Sequence, residues 1–201
     1  MGKKLRKIIV VVVTAFALMS WSGIGSADSG TVKILGDEHF VPNAMIMATF
    51  RFAPGPLSAD SGATVTWDNT GNQASADEPH TVTLVKKEQV PTSVAEVFGC
   101  GAPGTVCGDA LAAHLAGAFP EPAGGCPSGT VAVQPPGAPF NFCAKEKVEA
   151  TASQPGFDRP GDSLLVGAHG TAEQTISAPS GSTLYYICSF HPWMQGRITV
   201  R

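Results

Sequence analysis

The chain has 201 residues, of which 43% are hydrophobic and only 14% are charged. This composition excludes a mainly disordered chain and allows one ordinary hydrophobic core, so we expect a single domain. The 23 glycines and 16 prolines favour many turns between short strands, and therefore an all-β fold over a helical one.

The first 27 residues have the order of a secretory signal peptide. Four basic side chains precede an apolar run at 8–19, and small residues follow up to Ala27. The apolar run is shorter than the ~20 residues that a membrane-spanning helix needs. We therefore predict a signal peptide at 1–27 that is cleaved after Ala27; an uncleaved membrane anchor is the alternative.

Removal of this segment leaves nine of the 13 Lys and Arg residues against 16 Asp and Glu residues, a formal charge of −7. Such an acidic chain is not a nucleic-acid binder. We expect an exported monomer in the periplasm, on the cell surface or in the medium, with no integral membrane segment once the signal is cleaved.

Two blocks of predicted strands bracket a region of different character. From Pro91 to about Asp162 the pattern breaks into turns, with short helices predicted at 93–98, where Ser93 and Glu96 have capping-box spacing, and at 109–117. We interpret 91–162 as an insertion in one domain at 28–201, an all-β sandwich of about seven to nine strands. Segments rich in Val, Ile, Thr and aromatic residues predict strands at Thr31–Leu35, Ala44–Phe52, Ala63–Asn69, His80–Lys86, Ala172–Ala178, Thr183–Cys188 and Gly196–Arg201.

Five cysteines cannot all pair in an exported protein, so one of them must be free. Cys100, Cys107, Cys126 and Cys143 cluster in the insertion, and we expect two disulfides among them. Three connectivities are possible. Pairing of Cys100 with Cys107 and of Cys126 with Cys143 is slightly favoured, because neighbours in sequence close the smallest loops. Cys188 then remains as the free thiol.

A cluster of soft metal ligands follows the predicted strand at 183–188. Cys188, His191 and Met194 have Cys-x-x-His-x-x-Met spacing on the loop after that strand. A copper ion that cycles between two oxidation states is held by a thiolate and two imidazoles, with a weak axial thioether. His80 supplies the missing imidazole, because it opens a strand that can lie beside the Cys188 strand. The sequence therefore predicts one copper ion bound by His80, Cys188, His191 and Met194.

Three stretches of the chain resemble the cupredoxin, or type 1 blue copper, family: 50–69, with Thr64-Val65-Thr66-Trp67, then 79–83, and above all 185–200. The ligand loop is similar to that of amicyanin, whose Cys, His and Met are equally close together, whereas plastocyanin and azurin have longer loops. The resemblance implies a Greek-key β-sandwich with copper at one end and electron transfer through the exposed ring edge of His191. It also implies an apolar docking patch around that edge, for which the candidates are Phe190, Pro192, Trp193, Val41 and Pro42; a core position is the equal alternative for Phe190.

Two features depart from the family pattern. His80 and Cys188 lie 108 positions apart, much farther than in small cupredoxins, and the insertion accounts for most of the excess. The residue after the upstream histidine is often Asn in this family, where it hydrogen-bonds the thiolate loop. Here Thr81 offers a hydroxyl instead, and such changes around the ligands tune the metal.

The other three histidines have no partners at ligand spacing. We expect His39, which follows Asp37 and Glu38, to lie in a solvated turn, with a second metal site as the alternative. His114 is predicted on the second short helix and His169 in a turn. We assign these three residues no function.

These observations predict a protein that passes single electrons between redox partner proteins and is not an enzyme. Cys188 is flanked by Ile187 and Ser189 rather than by the histidines that would connect it to a catalytic copper cluster. This argues against a nitrite reductase or a multicopper oxidase. The alternative is a copper carrier or accessory module without electron transfer, and the thiolate and two imidazoles would also hold zinc.

Overall fold

The computed structural model describes residues 30–134, 138–151 and 156–201, so the predicted signal peptide lies outside the described residues. The described part contains the helices α1 (Val94–Gly99) and α2 (Val106–Leu115). The strands before them are β1 (Gly30–Leu35), β2 (Glu38–Val41), β3 (Met45–Ala48), β4 (Arg51–Ala53), β5 (Pro56–Ala59), β6 (Thr64–Asp68) and β7 (His80–Val85). The strands after them are β8 (Phe119–Pro120), β9 (Thr130–Val133), β10 (Phe142–Lys145), β11 (Lys147–Val148), β12 (Ser163–Val166), β13 (Thr171–Thr175), β14 (Thr183–Ile187) and β15 (Gln195–Val200).

Two sheets form the body of the fold, one with strand order β13-β6-β1-β4 and the other with order β11-β12-β7-β14-β15-β5. Alternation along β6 shows how they pack, because Val65 and Trp67 are fully buried while the residues between and beside them are half-buried. Trp67 meets Tyr186 of the other sheet in an edge-to-face contact, with ring centroids 6.0 Å apart. Neighbouring strands are mostly non-consecutive in sequence, and the predicted all-β Greek-key sandwich is confirmed.

One predicted strand is wrong in its extent. The segment Ala44–Phe52 forms two strands, because β3 pairs with β2 as a separate hairpin while β4 joins β1 in the sandwich. Gly36 allows the chain to leave the sheet: its φ is 133°, and a Cβ there would lie 2.5 Å from the Thr49 carbonyl oxygen. His39 consequently lies in β2 opposite Met47, not in the predicted turn, although its side chain is exposed.

The insertion has more regular structure than its turn-rich sequence predicted. Ser93 caps α1 with the predicted capping box to Glu96. The second helix starts at Val106, three residues earlier than predicted, because the Thr105 hydroxyl accepts a hydrogen bond from the Gly108 N–H and serves as its N-cap. Strands β8, β10 and β9 form a three-stranded sheet in a region for which only turns and helices were predicted.

Both favoured disulfides are present. Cys100 is bonded to Cys107 and Cys126 to Cys143, and Cys188 is the free cysteine, as predicted. The first disulfide ties the end of α1 to the first turn of α2, and the second anchors the loop before β9 to β10. Each therefore closes a short segment of the insertion rather than joining the insertion to the sandwich.

The insertion covers the outer face of the six-stranded sheet. Cys100 and Cys107 pack there against Val85 of β7 and Ile187 of β14. Val133 and Ala144 of the insertion pack against Leu165 of β12 in the same way. All six residues of β7 are buried as a result, including those that a two-layer sandwich would leave exposed to water.

Among the described residues, no helix combines the length and the apolar character that are needed to cross a membrane.

Candidate metal centre

Two neighbouring strands and one loop bring three donor atoms together at one end of the sandwich. His80 is the first residue of β7, and Cys188 directly follows β14, which pairs with β7 in antiparallel register. The Cys188 Sγ lies 3.7 Å from the Nδ1 atoms of both His80 and His191. The two Nδ1 atoms are 3.3 Å apart. The three residues therefore form a cluster whose donor atoms could share one metal ion.

Each histidine has its outer nitrogen held by an acceptor. The Nε2 of His80 lies 2.9 Å from the Ser75 carbonyl oxygen, and the Nε2 of His191 lies 2.9 Å from a carboxylate oxygen of Glu78. Carbonyl and carboxylate oxygens accept hydrogen bonds, so both Nε2 atoms carry the hydrogen and both Nδ1 atoms present a lone pair toward Cys188. This tautomer is the one that binds a metal through Nδ1.

Burial prepares the two rings for metal binding. It lowers the pKa of His80 to about 4. Burial, together with repulsion from His80, lowers the pKa of His191 to about 3. Both rings are therefore neutral near pH 7 and need not lose a proton before binding. Burial raises the pKa of the Cys188 thiol, so a metal ion must displace its proton.

The Cys188 sulfur is also fixed from the side of β7. The backbone N–H of Thr81 donates to the sulfur at 3.4 Å. The Thr81 hydroxyl accepts a hydrogen bond from the Ser189 N–H at 2.6 Å, which ties the ligand loop to β7. Thr81 thus holds the thiolate loop through its hydroxyl, in the position where the resemblance led us to expect an asparagine.

Met194, the predicted fourth ligand, closes the ligand loop through its backbone. Its side chain is fully buried, and its backbone N–H donates to the His191 carbonyl at 2.8 Å. The Cys188 N–H in turn donates to the Met194 carbonyl at 3.0 Å, so the loop closes on itself. Axial binding of the thioether sulfur stays a prediction.

Sequence reasoning missed three residues that support the site. Phe50 packs edge-on against both rings, with centroids 5.8 Å from His80 and 5.1 Å from His191. Ser75 and Glu78 accept the hydrogen bonds that fix the ring tautomers. Glu78 could have been suspected, because it stands two residues before His80 and carries a carboxylate, the usual partner of a metal-binding imidazole. Phe50 and Ser75 give no such signal.

The residues predicted for the docking patch around His191 differ in exposure. The ring is only 13% exposed, and its Nε2 is covered by Glu78. Trp193 is 41% exposed and packs against the ring at 5.1 Å between centroids. Pro192 is buried and cannot serve in a docking patch, and Phe190 is half-buried, because it packs against the sandwich and the insertion. Of the two candidates on the β2–β3 hairpin, Pro42 is exposed and Val41 is half-buried.

The three remaining histidines lie apart from this cluster. His39 is exposed on the hairpin. His169 lies in a turn, with a φ of 51°, and its Nε2 is 2.9 Å from a carboxylate oxygen of Asp77. His114 lies on α2 as predicted, but it is buried, and both of its ring nitrogens have hydrogen-bond partners.

The donor set suits copper. One thiolate and two imidazoles around a single position are soft and borderline ligands that accommodate both Cu(I) and Cu(II). Their outer hydrogen bonds are those of metal-binding histidines. The facing sheets and the His80–Cys188–His191 cluster at their end give the chain a cupredoxin-like fold with a copper-type site.

No protein-family model and no curated protein matches the sequence. Solved structures do match the chain. A purple cupredoxin from Nitrosopumilus maritimus is 14% identical with a TM-score of 0.38, over 86% of this chain and 99% of that one. Auracyanin A from Chloroflexus aurantiacus is 20% identical with a TM-score of 0.39, over 87% of this chain and all of that one. A blue copper oxidase from Nitrosomonas europaea is 16% identical with a TM-score of 0.29, over 86% of this chain and 38% of that one.

Proposed function

We propose that this protein binds one type 1 copper ion through His80, Cys188, His191 and Met194 and transfers single electrons between redox partner proteins outside the cytoplasm. The observation that carries the proposal is the convergence of one buried thiol and two neutral imidazoles, with donor atoms 3.3–3.7 Å apart. When bound at such a site, copper supplies reversible one-electron chemistry.

The protein's own contribution is to hold the ligands in one arrangement for both oxidation states. His80 and Cys188 are fixed by sheet pairing and by Thr81, and the His191 ring is held between Phe50 and Glu78. A site that does not rearrange between oxidation states exchanges electrons quickly, because little reorganisation accompanies each transfer. His191 is the only member of the cluster with a partly exposed side chain, which makes its ring the natural point of exit.

One observation favours the second candidate, a copper carrier or accessory module without electron transfer. Glu78 covers the outer nitrogen of His191, and the ring is only 13% exposed. Electron self-exchange of the copper protein, measured by NMR line broadening in mixtures of Cu(I) and Cu(II) protein, separates the two candidates. Fast exchange supports the electron carrier. Exchange too slow to broaden any line would support the copper holder.

The metal assignment is tested with Cys188→Ser. Protein loaded with Cu(II) should be intensely blue, because thiolate-to-copper charge transfer requires the sulfur, and the variant should lose this absorption completely. His169→Gln is the matched control, because it removes a histidine outside the cluster and should leave the colour unchanged. A blue Cys188→Ser protein would contradict the assignment.

The axial ligand is tested with Met194→Gln. The variant should still bind copper but have a lower reduction potential, because an amide oxygen is a harder ligand than a thioether and favours Cu(II). Voltammetry of both proteins under the same conditions measures the difference. An unchanged potential would mean that Met194 does not bind the metal.

A further inference from the structure

The β2–β3 hairpin carries methionines in an unusual place. Within the described residues its two strands pair only with each other, so the hairpin lies outside both sheets of the sandwich. Met45 is 50% exposed and Met47 is 47% exposed, although methionine is among the residues most often buried. The described part of the chain has one other methionine, Met194 of the ligand loop. Two exposed thioethers therefore lie on one short strand that has no core of its own to fill.

The strand register places a histidine beside these methionines. Met45 and Met47 are two residues apart on β3, so their side chains lie on the same face of the hairpin. His39 on β2 is directly opposite Met47 in the antiparallel pair, and directly opposite residues share a face. One exposed face of the hairpin thus presents two thioethers and one imidazole.

Hydrogen bonds at both ends of the hairpin fix this register. At the turn, the Ala44 N–H donates to the Val41 carbonyl at 3.0 Å, and Asn43 has a φ of 60°. At the base, the Asp37 N–H donates to the Thr49 hydroxyl at 2.9 Å, and the Thr49 N–H donates to the Asp37 carbonyl at 2.9 Å. A slip of one residue would move both methionines to the other face, and these bonds oppose it.

The three donors are within reach of one ion. Directly opposite residues such as His39 and Met47 have Cβ atoms about 5 Å apart, and diagonal neighbours such as His39 and Met45 are roughly 7–8 Å apart. A methionine side chain has three rotatable bonds, so its sulfur can swing toward a neighbouring ring without a change in the backbone. The exposure of all three side chains leaves them free to do so.

The acidic residues next to His39 in sequence do not join this donor set. Glu38 is opposite Ala48 and so lies on the other face of the hairpin. A carboxylate oxygen of Asp37 accepts a hydrogen bond from the Ala74 N–H at 3.3 Å. The remaining donors are soft thioethers and a borderline imidazole, which select Cu(I). Hard ions such as Mg²⁺ and Ca²⁺ require oxygen ligands instead.

We propose that His39, Met45 and Met47 form a second metal site, an exposed one that binds Cu(I) through one imidazole and two thioethers. The proposal goes beyond the proposed function, because this site requires neither Cys188 nor electron transfer. It gives His39 a role and explains why methionines, rather than other apolar residues, occupy this face of the hairpin.

The second site lies at the same end of the sandwich as the metal centre. The Gly36 carbonyl, just before β2, accepts a hydrogen bond from the Ser75 N–H at 3.0 Å, and the Ser75 carbonyl holds the His80 ring. Phe50, shortly after β3, packs against the rings of both His80 and His191. The hairpin therefore holds Cu(I) at the end where the metal centre is built, on residues that the metal centre does not use.

Methionine methyl NMR tests the second site directly. Protein that has received one equivalent of Cu(I) without oxygen is titrated with a second equivalent. The methyl signals of Met45 and Met47 and the ring signals of His39 should shift together and stop at one ion per hairpin. Ag(I), a soft ion that does not change oxidation state, should shift the same signals. Zn(II) should leave both methyl signals in place, because it takes nitrogen, oxygen and thiolate ligands.

Three substitutions each remove one donor. Met45→Leu and Met47→Leu keep the side-chain volume and remove a sulfur, and His39→Gln removes the imidazole. Competition with a chromogenic Cu(I) chelator measures the affinity of the hairpin. Each variant should bind Cu(I) there at least roughly tenfold more weakly, since loss of a group that merely supports a ligand already costs that much.

Ile46→Leu and His169→Gln are the matched controls. Ile46 lies on the same strand but on the opposite face, and His169 lies outside the hairpin, so both variants should keep the wild-type affinity. A shift of only one methionine methyl signal, or wild-type affinity in any of the three donor variants, would overturn the proposal.

Failure of this proposal and failure of the proposed function give different results. A protein that never turns blue with Cu(II), but whose Met45 and Met47 signals respond to Cu(I), loses the proposed function and keeps the second site. A blue protein whose hairpin signals do not respond to either Cu(I) or Ag(I) keeps the proposed function and loses the second site.

Discussion

The metal centre and the insertion are held together in different ways. At the metal centre, strand pairing and hydrogen bonds from Thr81, Ser75 and Glu78 position the side chains, and no covalent link is involved. In the insertion, two disulfides close short segments of chain that have few large apolar residues of their own. The sandwich thus holds the side chains of the metal centre in fixed positions. The insertion instead obtains stability from crosslinks that restrict its unfolded chain.

The two regions are nevertheless packed together. The insertion covers the outer face of β7 and β14, and Phe190 of the ligand loop contacts it directly. Deletion of 91–162 would therefore expose buried apolar residues beside the metal site. Loss of copper in such a variant would not distinguish a role of the insertion at the site from simple loss of packing. Point substitutions that leave this packing intact are the better way to test how far the regions are independent.

The largest expected effect comes from removing the crosslinks. Replacing all four insertion cysteines by alanine should lower the free energy of unfolding by roughly 5 kcal/mol, with roughly 3 from the 17-residue separation and roughly 2 from the 7-residue separation. Urea unfolding at pH 7 measures the loss. The blue absorption should survive at temperatures where the variant is folded, because no disulfide touches a ligand.

Thiol counting on unfolded, metal-free wild type supplies the control and should find one free thiol, that of Cys188. Loss of the blue colour in the folded quadruple variant would show that the crosslinks also position the metal centre. The metal centre and the insertion would then not be held together in different ways.

Acid should also lower the stability of the protein, but through side chains of the metal centre rather than through the crosslinks. Because folding lowers the pKa of His80 from 6.5 to about 4, the unfolded chain binds more protons between these values. The stability that comes from the neutral ring is fully present above pH 6.5 and is lost as the pH falls toward 4, by roughly 3 kcal/mol for this ring. Burial of His191 and His114 adds to the loss in the same direction.

Urea unfolding of metal-free protein at pH 7, 5.5 and 4, with a chelator present, measures this dependence. The His80→Gln variant should have a flatter profile than the wild type, and His169→Gln should keep the wild-type profile. A wild-type stability that is constant over this range would contradict the burial of neutral rings at the site.

The smallest expected effect concerns docking. Trp193→Lys should slow electron self-exchange by roughly tenfold, equivalent to about 1.4 kcal/mol, because a redox encounter uses a small interface in which one exposed aromatic residue contributes strongly. The blue absorption should remain, because Trp193 is not a ligand. Phe98→Lys on α1 is the matched control, since Phe98 is 83% exposed and the substitution adds the same charge. Slowing by Phe98→Lys alone would mean that partners dock on the insertion.

Much of the sandwich could be predicted from local signals. Alternation around Trp67 and the β-branched run after His80 mark half-buried and buried strands, and Cys-x-x-His-x-x-Met spacing marks a ligand loop, because these patterns depend only on neighbours in sequence. The disulfides were predictable for the same reason, since short loops close most easily. The β2–β3 hairpin was not, because Ala44–Phe52 reads as one continuous strand, and its interruption at Thr49 depends on hydrogen bonds with Asp37, 12 positions away.

The sequence by itself determined the donor types, the free thiol and the all-β class. Only the tertiary structure decided which polar groups surround the donors. Glu78 reaches the His191 ring, and Thr81 reaches the Ser189 backbone, because β7 and the ligand loop are distant in sequence but pack together in the fold. Their hydrogen bonds depend on distances of about 3 Å between such elements, which no local pattern encodes. That is why the ligands could be recognised from their spacing, while the contacts that hold the His191 ring and the thiolate loop became visible only in the fold.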